Sequence, residues 1–231
     1  MPTIFDLINK FDFMRGLPAV YVVLLMAIII VMAWDWRVTL LALLVHYLTA
    51  SLLFVDVLDP RLAVVKLLVG LFVCLILYIT ARQVNYGRLP IDVAPEEAAG
   101  LGLERRVRVG PYTLPTSLPF RFFAAIMIVL AAWALAHSPT FQLPALSDAL
   151  TYLNWAVYGL AGLGLLGMGL TADPWRAGLG MLLFWTGFEL FYSTLEQSVA
   201  VLALLAVVTM LITLFIAYLT QARHALPALV D

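Results

Sequence analysis

Three ionisable side chains stand inside long apolar runs of this sequence, and they are where chemistry could occur. Glu189 lies in LLFWTGFELFYS, Lys66 in PRLAVVKLLVGLF, and His46 midway along the run from Val38 to Val55. An ionisable group near the centre of a bilayer costs ~2.5–3.5 kcal/mol on insertion scales, so such groups mark functional positions by default. A carboxyl group can load and release a proton, which suits Glu189 to a relay; the plainer role is a bond to a neighbouring helix or a place near the headgroups. Lys66 stands a little more than one turn beyond Arg61. Its stem can snorkel outward, or the amine can face inward, pair with a carboxylate and pass protons. His46, with Tyr47, Thr49 and Ser51 close by, carries the side chain that titrates nearest neutrality; its plainer role is a hydrogen bond between helices.

Other chemistry has little support. The three histidines, His46, His137 and His224, do not form a pair spaced for haem, and the single cysteine, Cys74, excludes an intramolecular disulfide framework, an iron–sulfur cluster and a zinc–thiolate site. The HExxH, GxSxG and phosphate-loop motifs are missing. We therefore expect no catalytic residue, metal or cofactor in this chain itself.

The elements that position these residues follow from composition. Of 231 residues, 64% are apolar and 12% charged, against about half and a quarter in soluble domains. No soluble domain of this size hides so much apolar surface, whereas a lipid bilayer, the expected surrounding, removes the need to. A net charge of −1 argues against nucleic acid as a partner. The first long apolar run begins near Leu17 without a small-residue cleavage site behind it, so a cleaved signal peptide is not expected.

A helix needs about 20 apolar residues to cross the hydrocarbon core. Seven segments qualify: Leu17–Trp34, Val38–Val55, Leu62–Thr80, Phe120–Ala136, Tyr152–Leu170, Trp175–Ser193 and Val199–Thr220. Backbone groups must be paired in lipid, and continuous runs rather than alternating ten-residue segments exclude a β-barrel. The expected fold is an all-α, polytopic transmembrane protein of about seven spans. It divides into an N-terminal three-span region (1–81), a cytoplasmic loop (82–119) and a C-terminal four-span region (120–231). The first 16 residues mix apolar and charged side chains and predict a short amphipathic helix along the membrane surface.

Seven spans place Arg37, Arg82, Arg88, Arg105, Arg106, Arg108, Arg121, Arg176 and Arg223 on one face and only Lys10, Arg15 and Arg61 on the other. The positive-inside rule then puts the N-terminus outside and the C-terminus in the cytoplasm of a cell inner (plasma) membrane. Glycines at 159, 162, 164, 167 and 169 crowd the fifth span and predict close helix packing. Thr209 and Thr213 share a face of the seventh and predict bonds between helices.

Two stretches resemble membrane subunits of the complex I superfamily. Val64–Val84, VVKLLVGLFVCLILYITARQV, looks like the third span of the component E family of hydrogenase-4-type membrane hydrogenases, with Lys66 at that family's lysine. Leu179–Leu190, LGMLLFWTGFEL, looks like the middle helix of the K-type subunit of NADH:quinone oxidoreductase, and Gly187, Phe188 and Glu189 match its glycine–apolar–acid motif. The component E pattern has its acid one turn earlier, at Trp185, on the same helix face. The K-type second acid falls near Thr209 or Met210, and this chain has none there. The resemblance implies a membrane subunit of a complex I-like, hydrogenase-like or cation/proton antiporter assembly. Other membrane subunits would be its partners, and Glu189 and Lys66, with His46 beside them, would form a proton or cation relay. A purely structural subunit bridging its partners is the alternative; a stand-alone transporter ranks last, because inverted repeats and interrupted helices are not visible.

Overall fold

The computed structural model describes residues 12–86, 106–109, 112–115, 118–143 and 150–225. The fold is all-helical, as expected, apart from one short ribbon. In chain order the helices are α1 (Leu17–Met32), α2 (Trp36–Val57), α3 (Pro60–Gln83), α4 (Leu118–Ala136), α5 (Thr151–Gly169), α6 (Pro174–Leu195) and α7 (Val199–Ala225). Between α3 and α4, β1 (Arg106–Val109) pairs antiparallel with β2 (Tyr112–Pro115), Arg106 opposite Pro115. The expected surface helix falls almost wholly outside the described residues, as does most of the loop.

Short polar punctuation starts the helices. The Asp35 carboxylate accepts from the Arg37 amide at 2.9 Å and Asp59 from the Arg61 amide at 2.8 Å. Asp173 does the same for Arg176 at 3.4 Å. Each satisfies an amide that the helix leaves unpaired. Pro60 and Pro174 open α3 and α6, where a missing N–H costs nothing.

Four helices combine the length and apolarity needed to cross a membrane: α2, α3, α4 and α7, with mean hydropathies of 2.2, 2.8, 2.0 and 3.0. This is a membrane protein. The other three segments depart from the expected uniformity. α1 has only 16 residues, about 24 Å of helix against a ~30 Å core. It stops at Met32 because Trp34 is taken up elsewhere, with the Arg176 guanidinium 3.6 Å from its ring centroid and that of Arg121 at 5.4 Å. α5 and α6 are 19 and 22 residues long, but glycines, Asn154 and Glu189 lower their hydropathy. Both are largely buried by other helices.

The helices alternate in direction, and their contacts define two ends. At one end Arg121, buried on α4, donates to Leu170 O at 3.0 Å and Val31 O at 3.5 Å. A cation thus caps the C-terminal carbonyls of α5 and α1, where the helix dipole favours it. Asp173 accepts from the Tyr86 hydroxyl and lies 3.8 Å from Arg223 Nη1. Burial, with the Asp173 carboxylate beside it, pushes the Tyr86 phenol up, so it stays a donor. At the other end Arg15 Nη2 lies 2.7 Å from Asp56 Oδ1, and Tyr152 donates to Asp56 Oδ2 at 2.7 Å. Gln197 donates to Val57 O at 2.9 Å.

α5 and α6 make the closest helix pair. A Cβ on Gly164 would lie 2.4 Å from Phe184 N, and one on Gly180 2.7 Å from Met168 N. The glycine-rich span therefore packs backbone to backbone, as expected. α1 and α2 cover this pair, and α3 and α7 pack together on its flank. The core runs through α1, α2, α5 and α6, while α3, α4 and α7 turn Phe72, Phe123 and Phe215 outward.

Candidate functional site

Lys66 and Glu189, on different helices and 123 positions apart, meet in the interior: Nζ lies 2.6 Å from Oε1. The side chains are 5% and 4% exposed. Lys66 sits six residues into α3 and Glu189 six before the end of α6, so both lie about 9 Å below the Asp56 end. Lys66 does not snorkel. α3 turns it inward, where its ammonium also sits 5.6 Å from the Phe54 ring centroid, a favourable cation–π placement. Two opposite charges this deep offset a desolvation cost of several kcal/mol per ion only with close geometry and further hydrogen bonds.

Those hydrogen bonds come from α7. Thr209 Oγ1 lies 2.9 Å from Glu189 Oε1 and 2.9 Å from Leu205 O, so one hydroxyl proton serves two acceptors. Trp185 Nε1 donates to Thr209 Oγ1 at 3.0 Å. Trp185, one turn before Glu189, thus reaches the same site through the threonine. Thr209 bonds between helices as expected, whereas Thr213 donates within α7, to Thr209 O at 2.8 Å. Both of these bonds to the carboxylate fall on Oε1, and the Trp185 indole also approaches the carboxylate.

A cavity of ≈ 10 Å³ adjoins the pair, and Tyr47, Ser51, Thr186 and Thr209 line it together with Lys66 and Glu189. That is room for about one water molecule. Tyr47 reaches it because Gly70 leaves space on α3: a Cβ there would lie 2.5 Å from Tyr47 Cγ. The Tyr47 hydroxyl is buried and meets the Thr186 side chain only outside ordinary hydrogen-bond geometry.

His46 is fully buried near the middle of α2. Its ring lies 5.6 Å from that of Tyr47, edge to face. Neither ring nitrogen has a hydrogen-bond partner among the described residues. It does not line the cavity beside the ion pair. Its approach to another helix is to the backbone of Val23 on α1.

Thr186 carried no signal as a lone residue, yet three positions before Glu189 it shares that residue's helix face. Asp56 and Tyr152 read as loop-edge residues and become a buried cluster only on folding. Among the described residues no group of three or more His, Cys, Asp or Glu side chains could hold a metal. Compared with protein-family models, with curated proteins and with solved structures, the chain has no match.

Proposed function

We propose that this chain is an integral membrane subunit of a complex I-like, membrane-bound hydrogenase-like or cation/proton antiporter assembly, and that Lys66 and Glu189 carry a proton or cation relay. The buried Lys66–Glu189 contact of 2.6 Å is the observation that supports it. Transfer of one proton from Nζ to Oε1 turns an ion pair into a neutral pair without moving a heavy atom. The pair can then take up or give away a proton while net charge in the interior stays low, which is the condition for passing charge through low dielectric. The hydroxyl of Thr209 and the indole of Trp185 hold the carboxylate in place as its charge changes.

In this reading all seven helices span the membrane, a view supported by their alternation between two ends and by the short turns at Ala33–Asp35 and Leu58–Asp59. The N-terminus is outside and the C-terminus cytoplasmic in a cell inner (plasma) membrane, because the arginine-rich end is the Asp173 end.

Glu189→Gln tests the relay. Coupled translocation by vesicles holding the full assembly is lost, while the assembly is recovered intact. Wild-type translocation by that variant sinks the relay.

A second reading has a specific observation in its favour. The ion pair ties α3 to α6 and α7, and Thr209 rather than an acid occupies the matching place on α7. The pair is then a structural clasp in a subunit that bridges its partners. Lys66→Met combined with Glu189→Leu leaves ion transport unchanged in that case.

A further inference from the structure

Three features meet in one place beside the ion pair. Lys66 and Thr209 both bond Oε1 of Glu189, and the Trp185 indole also approaches the carboxylate. The Tyr47 hydroxyl, on a residue 7% exposed, meets the Thr186 side chain only outside ordinary hydrogen-bond geometry. Tyr47 and Glu189 line the same ≈ 10 Å³ cavity. A buried hydroxyl without a partner is unfavourable. A cavity of that size with several polar groups holds one ordered water. Ser51 and Thr186 already give their protons to Leu48 O (2.7 Å) and Leu182 O (2.8 Å), so each presents only lone pairs to the cavity. The Tyr47 hydroxyl and the cavity water are left as its proton donors beside Lys66.

We propose that this cavity is a water-binding site joining Tyr47 to Glu189 Oε2, and that Tyr47 is the positioning residue through which Glu189 exchanges its proton. The proposal rests on the relay reading above. Tyr47 donates to the water, and the water donates to Oε2. When Glu189 takes a proton, it comes from that water. The water regains one from the Lys66 ammonium, which lines the same cavity, so the pair ends neutral and no charge is left behind. Lys66 and Thr209 occupy Oε1, so the water's exchange runs through Oε2 beside the direct transfer from Nζ to Oε1. Gly70 belongs to the same device, since any side chain there displaces the Tyr47 ring.

The test uses Tyr47→Phe, which keeps the ring packed on Gly70 and removes only the hydroxyl. In infrared difference spectra of the purified full-length chain in nanodiscs, the wild type shows a water O–H band that shifts in oxygen-18 water, and Tyr47→Phe loses it. In vesicles holding the full assembly, Tyr47→Phe slows coupled translocation about 10- to 100-fold, the scale of a misplaced proton-transfer group. Equal recovery of the assembly shows that folding is not the cause. An isotope-sensitive band that survives in Tyr47→Phe overturns the bond between Tyr47 and the water, and a wild type without the band overturns the water site. Unchanged translocation in Tyr47→Phe, with Glu189→Gln inactive, overturns the role of Tyr47 and leaves the relay standing. An active Glu189→Gln overturns both.

Discussion

Lys66 on α3 and Glu189 on α6 form a buried ion pair, Nζ to Oε1 at 2.6 Å. Neither element holds the other by chain connectivity. Two of the costliest side chains in the sequence reach the same point from opposite directions, and Thr209 of α7 adds its hydroxyl to the same oxygen. Each charge is tolerable there only because the other is present, and this coupling makes the pair open to test.

Removing one partner leaves the other charge buried and alone. Lys66→Met or Glu189→Leu singly destabilises the protein by about 3–5 kcal/mol, whereas the double substitution is close to neutral. Unfolding of the purified protein in detergent, read as a double-mutant cycle, gives a coupling energy of about 6–10 kcal/mol, the sum of the two single losses. Additive single effects would mean that the two groups do not interact.

Backbone contact between α5 and α6 depends on Gly164. Its Cβ would meet backbone atoms of Phe184 and Gly180, which cannot swing aside as a side chain can. Gly164→Ala costs about 1–3 kcal/mol. Gly169→Ala, where nothing lies within 4 Å, is neutral or gains up to ~1 kcal/mol of helix propensity. Thermal melting in detergent separates the two, and equal shifts would contradict the packing described.

Orientation is tested by labelling in a Cys74→Ala background. Ser198 and Gln83 are both exposed, at opposite ends of the bundle. A membrane-impermeant maleimide labels Ser198→Cys in intact cells and Gln83→Cys only after permeabilisation. The reverse pattern inverts the topology, and equal labelling in intact cells would argue against the helices between them crossing an odd number of times.

The helical segments and the costly residues within them were legible from order alone. Continuous apolar runs in lipid leave the backbone only the helix, and the rarity of Glu189, Lys66 and His46 among apolar neighbours marks them without any knowledge of packing. Asp–Pro at 59–60 and 173–174 likewise set two helix starts by local chemistry. The tertiary structure decided that Lys66 turns inward, that its partner is Glu189, and that Tyr47 joins the site while His46, one position earlier, does not. It also decided that α1 ends at Met32, short of Trp34, and that Asp56, Arg15 and Tyr152 meet. The physical reason lies in the solvent. In a soluble helix the apolar stripe points at the core, so periodicity shows which face is buried. In an apolar helix the lipid face and the protein face look alike, and the buried face is chosen by shape, at Gly164, Gly180 and Gly70. A backbone contact between two glycines on different helices has no signature in either segment read by itself, and it sets which faces of α5 and α6 meet.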